Sequence, residues 1–199
     1  STGASLVTGF LVGKWSRAFL NYTYEVIKPS EADPADLTDP FYPGAGGVNY
    51  GPQYDQLLYG DFGQRRESRI TPNFVYNTVD NPFTPRAGMR HTVTVMFAGG
   101  PLGGTVDYIR PNLEAIVYKP IGRKMSLGVR AEAALISPFG DTKLLPLYQR
   151  YFLGGETQIR GYQIRSIGPV DSQGRALGGD KFGLFNAEYY FDVFGPLRA

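Results

Sequence analysis

The feature that most constrains this chain is a strict alternation of apolar and polar residues over long stretches near its middle. The stretches 105–118 and 124–136 both show it. Successive side chains of a β-strand point to opposite faces, so a period of two is the period of a strand. The two stretches therefore predict neighbouring strands joined by a short connection, each with one apolar and one polar face.

The same pattern, in weaker form, predicts five further strands, which lie at residues 3–12, 17–28, 68–78, 89–98 and 182–194. Typical strands of soluble proteins have about 5–6 residues, whereas a tilted strand needs about 9–11 residues to cross a membrane. The chain has no run of about 18 apolar residues, so no transmembrane helix is expected. Strand length therefore favours an antiparallel up-and-down membrane β-barrel. A soluble β-sandwich is the alternative on pattern alone.

The composition of the two faces also favours a membrane barrel. The apolar faces are chiefly Val, Leu, Ala and Ile, and we expect Tyr118 and Phe139, near strand ends, to belong to an aromatic girdle. The polar faces carry charged residues that can pair across neighbouring strands in a wet lumen: Arg110, Glu114, Arg130 and Glu132.

Long and short connections alternate along the chain, as in barrels whose outer loops are long and whose periplasmic turns are short. The two longest are the segments 29–67 and 137–181. Seven strands are too few for a closed barrel of this kind, so we interpret residues 1–199 as part of a larger barrel domain. Acidic residues every third position in the first long loop predict a solvated segment, with a calcium site as the alternative: Asp33, Asp36 and Asp39.

Charge and composition exclude several classes of function. Twenty basic residues against eighteen acidic ones give a net charge of +2, and there is no basic run, so no nucleic-acid partner is expected. Cysteine is absent and the one histidine, His91, falls on an apolar strand face. This excludes thiolate nucleophiles and multi-histidine metal centres. We therefore predict no enzyme activity, no cofactor and no metal.

One motif in the second long loop stands apart from the rest. A charged, planar guanidinium lies between apolar and glycine residues, where solvent-exposed loops are usually polar. Such a group suits an inward-folded loop that meets a buried carboxylate. We assign Gly161 to backbone geometry and Tyr162 to packing. The motif consists of Gly154, Gly155, Ile159, Arg160, Gly161 and Tyr162.

This motif resembles the signature loop of the outer-membrane assembly and secretion barrels, the BamA superfamily. The turn at 80–88 resembles the periplasmic turn two strands earlier, and Ile167-Gly168-Pro169 follows at the family's spacing. Gly178-Gly179, nine residues before Glu188, looks like the start of the strand whose glutamate faces the loop arginine. The resemblance spans residues 5–195 and implies strands six to twelve of a sixteen-stranded barrel. POTRA domains and the other strands would lie outside this chain.

The resemblance implies a protein that assembles and inserts β-barrel proteins into the outer membrane of Gram-negative bacteria. Its partners would be the lipid bilayer, unfolded β-barrel clients and accessory lipoproteins. A transporter of the same superfamily, of the two-partner-secretion type, is the alternative. In either case Arg160 is expected to cross the lumen and form a buried, bidentate pair with Glu188, assisted by Asp192, that locks the loop.

Overall fold

The computed structural model describes residues 2–27, 65–122, 124–142, 145, 147–170, 176–194 and 197–198. Seven long strands carry the fold: β1 (Thr2–Leu11), β2 (Ser16–Ile27), β3 (Arg65–Asn77), β4 (Gly88–Ala98), β5 (Tyr108–Pro120), β6 (Met125–Leu135) and β8 (Lys181–Phe194). Two strands of two residues each, β7 (Ser137–Pro138) and β9 (Leu197–Arg198), and two single 3-10 turns (Gly100–Leu102 and Leu147–Gln149) complete it. Within these ranges no helix is long and apolar enough to span a membrane.

All strands belong to one antiparallel sheet in the order β1-β2-β3-β4-β5-β6-β8-β9, with β7 paired to β5. Each long strand is thus hydrogen-bonded to the next long strand in sequence, which is the up-and-down order of a barrel wall. The prediction of an all-β fold with seven long strands is confirmed.

Two predicted boundaries are wrong. β5 begins at Tyr108 rather than 105, since Asp107 still belongs to the preceding loop, where its carboxylate accepts a hydrogen bond from the Gly100 amide at 2.7 Å. β3 begins at Arg65, inside the predicted loop 29–67. Its first three residues are all charged and hide the alternation, but they pair with the end of β2. The rest of that loop, with Asp33, Asp36 and Asp39, lies outside the described residues.

The connections divide the sheet into two ends. The connections β1–β2, β3–β4 and β5–β6 lie at one end. The connections β4–β5 and β6–β8 lie at the other, here called the loop end. The prediction that long and short connections alternate strictly is wrong, because ten residues (78–87) join β3 to β4 and nine (99–107) join β4 to β5.

The two faces of the sheet differ as predicted, one apolar and one polar. The apolar, outer face leaves large side chains exposed, among them Leu20, Phe74, Val93, Leu113, Val117 and Phe185. Phe139 reaches this face and stacks on Phe97 at 5.1 Å between ring centroids. The placement of Tyr118 in an outer aromatic girdle is wrong. It has the parity of the polar side chains of β5, and its ring lies on the inner face, 6.3 Å from that of Tyr190.

The buried core lies on the inner face near the loop end. It consists of Ala98, Val106, Tyr108, Ala134, Ile136, Leu145 and Tyr151, with Met96 and Phe182 packed against it. Leu145 and Tyr151 come from the second long connection, so this segment folds back onto the sheet and buries apolar side chains against it.

Candidate functional site

The connection between β6 and β8 returns along the inner face as two paired limbs. The amides of Tyr151 and Gly179 each donate to the carbonyl of the other, at 2.9 and 2.7 Å. Farther along, Leu153 and Ile167 exchange a similar pair of bonds at 2.9 and 3.0 Å. These bonds satisfy backbone groups that would otherwise need water, so the loop is a folded element rather than a loose excursion.

The paired glycines let the two limbs approach each other. Gly154 has φ 122° and Gly155 has φ 91°, both in a region that side chains other than glycine rarely adopt. A Cβ at position 154 would overlap the carbonyl oxygen of Gln163, and one at 155 would lie 2.9 Å from Cγ1 of Ile164. The Gly-Gly pair therefore serves backbone contact between the limbs.

A tight turn at the loop tip orients the arginine. The Ile159 amide donates to the Gly155 carbonyl at 2.9 Å, and the Gly155 amide donates to the Tyr162 carbonyl at 3.0 Å. Gly161 has φ 85° and no atom within 4 Å of a Cβ built there, so its role is conformational. The Tyr162 side chain is 58% exposed, which does not fit the packing role expected for it.

The structure brings Arg160 to Glu188. Nη2 of Arg160 lies 2.9 Å from Oε1 of Glu188, and the other oxygen of Glu188 accepts a hydrogen bond from the Tyr190 hydroxyl. The side chains are 75% and 34% exposed, so the pair is not buried. The guanidinium contacts this carboxylate through Nη2 and Oε1 alone, so the pair is not the bidentate one that was expected. The side chain of Asp192 lies outside the described part of the structure.

Two polar side chains of the wall hold the backbone of the loop tip. Nη1 of Arg130 donates to the Thr157 carbonyl at 3.0 Å, and Nδ2 of Asn186 donates to the Gln158 carbonyl at 2.9 Å. Together with the ion pair they border a cavity of about 540 Å³ between loop and wall. The sequence marked Arg130 as a lumen residue but gave no sign that it binds the loop.

Arg130 is also the centre of a ladder of charges across β4, β5 and β6. Glu114 and Glu132 are directly opposite each other in the register of β5 and β6, where two like charges would repel. Arg130 bridges them, with Nε 2.9 Å from Glu114 and Nη2 2.6 Å from Glu132. Arg90 adds a contact to Glu114 at 3.2 Å, and Asn112 one to Glu132 at 2.9 Å.

A second group of contacts, missed in the sequence, lies at the base of the loop. Glu67 on β3 is fully buried and accepts hydrogen bonds from Tyr148 at 2.7 Å and from Gln149 at 3.1 and 3.3 Å. On the wall side it accepts from Arg69 at 2.9 Å and Tyr108 at 3.4 Å. Desolvation at the hydroxyl end, with the nearby carboxylate, raises the pKa of Tyr148, so its hydroxyl remains a donor although the residue as a whole is 45% exposed. The polar face of β3 consists of odd-numbered residues, so starting the predicted strand one residue earlier, at 67, would have placed Glu67 on that face.

The chemistry of this face is hydrogen bonding and ion pairing. Within the described ranges no group of three or more His, Cys, Asp or Glu residues could hold a metal ion. What the arrangement can do is hold a loop against a wall at two places, its tip and its base.

Comparisons with known proteins place this chain in a family. The model of the Omp85 superfamily domain matches residues 1–198. The outer membrane protein assembly factor BamA of Nitratidesulfovibrio vulgaris is 32% identical over 135 residues, covering 67% of this chain and 17% of that protein. The mouse sorting and assembly machinery component 50 homolog is 30% identical over 120 residues, covering 60% of this chain and 25% of that protein.

A more distant relative is the assembly factor BamA of Neisseria meningitidis, 26% identical over 101 residues, or 49% of this chain and 13% of that protein. The chain thus aligns with a quarter or less of the length of these relatives. The family match, in contrast, runs through β1 to β9. The chain belongs to the Omp85 superfamily and forms part of the wall of its barrel domain.

Proposed function

We propose that this barrel domain serves a protein that assembles and inserts β-barrel proteins into the outer membrane of a Gram-negative bacterium. The names of the relatives support this, since they are an outer membrane protein assembly factor and a sorting and assembly machinery component. The proposed partners are the lipid bilayer, unfolded β-barrel clients and accessory lipoproteins. POTRA domains elsewhere in the full-length protein are part of the same proposal. The proposed activity involves no covalent chemistry.

In this proposal a client strand pairs with an exposed strand edge of the barrel, outside the chain described here, by β-augmentation. The part of the present chain is to keep the wall and its inner loop in a fixed arrangement while the edge is used. The observation that carries the proposal is the contact at 2.9 Å between Arg160, at the loop tip, and Glu188, on the wall.

The exposure of this pair decides what kind of role it has. Removing one partner of a buried pair costs about 3–5 kcal/mol, but exposed pairs contribute only about 0.2–1 kcal/mol. With its guanidinium 75% exposed, Arg160 belongs with the second group. Its substitution should therefore leave the barrel folded and change the position of the loop tip, so loss of activity would not be a consequence of unfolding.

The proposal is tested in cells depleted of the native protein and supplied with full-length variants. Arg160→Ala, Arg160→Lys and Glu188→Gln should each lower the amount of folded outer-membrane β-barrel protein, measured by heat-dependent gel mobility. Arg165→Gln is the matched control, because Arg165 is an arginine of the same loop that lies over the Phe152 ring, 4.3 Å from its centroid. Full β-barrel assembly by Arg160→Ala would contradict the proposal.

The same cells distinguish the transporter alternative. A protein that exports one partner polypeptide would restore secretion of that partner without restoring the general level of outer-membrane β-barrel proteins. An assembly factor would restore the general level. The two measurements are made on the same cultures, one on the medium and one on the membrane fraction.

A further inference from the structure

The contacts between the long loop and the wall are more deeply buried at the base of the loop than at the Arg160–Glu188 pair of its tip. Glu67 has no solvent exposure, and four side chains donate hydrogen bonds to its carboxylate: Arg69, Tyr108, Tyr148 and Gln149. Two of these donors belong to the wall and two to the loop. The contacts span 81 and 82 residues of sequence, so they form only when the loop is folded back.

Burial makes the contact between Glu67 and Gln149 costly to lose, since these residues are 0% and 7% exposed, whereas Tyr148 is 45% exposed. A buried acceptor or donor left without a partner loses its full solvation, whereas an exposed one is taken up by water. Arg160 at the tip is 75% exposed, while the Glu67 side chain is 0% exposed. On the wall side the carboxylate has a cationic partner in Arg69 at 2.9 Å, and Arg69 is itself tied to Glu25 at 3.2 Å.

Gln149 gives the base its specificity. Its Nε2 donates to Glu67, while its Oε1 accepts from Nη1 of Arg110 at 3.2 Å. The neutral amide of Gln149 thus bridges a carboxylate on β3 and a guanidinium on β5. Its NH2 group faces the carboxylate, and its oxygen faces the guanidinium. The same Arg110 donates through Nε to the Tyr151 hydroxyl at 2.8 Å and lies over its ring, which fixes the next turn of the loop.

We propose that Glu67 is the positioning residue that holds the base of the 137–181 loop against the wall, through Tyr148 and Gln149, independently of the Arg160–Glu188 contact at the tip. This deepens the proposed function, in that an attached base leaves the tip free to be released and rebound without the loop leaving the inner face. Glu67 contacts no client in this proposal and acts only through the loop.

The test is a polarity swap in the full-length protein in isolated membranes. Gln149→Glu places two carboxylates face to face. Glu67→Gln places an NH2 group where Glu67 now accepts hydrogen bonds, so that donors face a donor. Each should raise hydrogen–deuterium exchange in the peptide covering residues 147–155 by about tenfold or more, since buried partners are left unsatisfied. Exchange in β4 is the internal control and should not change.

The double variant Glu67→Gln with Gln149→Glu restores the pattern in reverse. The new amide at position 67 can donate to the new carboxylate at 149, which still accepts from Arg110. It should recover most of the protection lost in either single variant. If Glu67 and Gln149 acted only by filling space, the double variant would show no such recovery, because Glu and Gln have nearly the same volume in all three variants.

The remaining variants separate this inference from the proposed function. Tyr148→Phe removes one loop donor and should raise exchange at the base less than Gln149→Glu does. Arg160→Ala should leave exchange at the base unchanged, whatever it does to assembly. The inference is overturned if Gln149→Glu leaves the base protected, if the double variant recovers nothing, or if Arg160→Ala alone releases the base. None of these results depends on whether the protein assembles β-barrel clients.

Discussion

Arg130 links the charged side chains of the inner wall to the loop, so its loss should disturb both. It bridges Glu114 at 2.9 Å and Glu132 at 2.6 Å, and it also donates to the Thr157 carbonyl of the loop at 3.0 Å. Because the two glutamates face each other in the strand register, Arg130→Met leaves two like charges opposite each other, with only the more exposed Arg90 beside Glu114 as a cationic partner. The same substitution removes one of the contacts that hold the loop tip.

The magnitude follows from the exposure of the three side chains. Arg130 is 28% exposed, and Glu114 and Glu132 are 16% and 13% exposed. These values lie between exposed pairs and buried ones, so Arg130→Met should lower the free energy of unfolding by about 2–3 kcal/mol. Arg130→Lys should lose part of this, because an ammonium cannot reproduce the planar fork that reaches both carboxylates and the carbonyl.

The assay is equilibrium unfolding of the full-length barrel in lipid vesicles, followed by tryptophan fluorescence. Arg90→Met is the matched control. Arg90 lies at the end of the same ladder, its side chain is 44% exposed, and its one ion pair is with Glu114. Its substitution should therefore lower the free energy of unfolding by only about 0.2–1 kcal/mol. Adding Glu132→Gln to Arg130→Met should recover stability by removing the repulsion. If Arg130→Met unfolds like the wild type, or if Glu132→Gln makes the double variant worse, the electrostatic reasoning is refuted.

The stability of the β3–β4 turn should depend on pH through Asp80. The pKa of Asp80 is lowered by backbone hydrogen bonds, chiefly from the Arg86 amide. Its contribution is complete above the ordinary carboxyl pKa of about 4 and is lost as pH falls through the lower folded-state value. Intrinsically corrected amide exchange of the turn should therefore rise on acidification in the wild type but not in Asp80→Asn. Gly128→Val should destabilise the barrel by about 1–3 kcal/mol in the unfolding assay. A Cβ built at this glycine would lie only 2.8 Å from the Tyr190 ring. Phe83→Ser, at a 92% exposed turn position, should change stability by no more than about 0.5 kcal/mol.

The strands and their faces were predictable because they depend on local sequence. Alternation along β5 and β6 tells which side chains share a face, since neighbouring residues of a strand always point in opposite directions. It failed where the local signal was hidden. At the start of β3 the charged run that ends in Glu67 resembled a loop. Tyr118 was assigned to the outer face by its aromatic character, although parity places it on the inner one.

By itself the sequence determined the all-β up-and-down fold, the apolar and polar faces of its strands and the unusual Arg160 motif. Only the tertiary structure decided which side chains of the loop meet which side chains of the wall. Glu67 and Gln149 are 82 residues apart, and their contact depends on strand register and on the path of the returning loop together. The exposure of Arg160 was also undetermined, because burial depends on what the folded chain places around a residue and not on its neighbours in sequence.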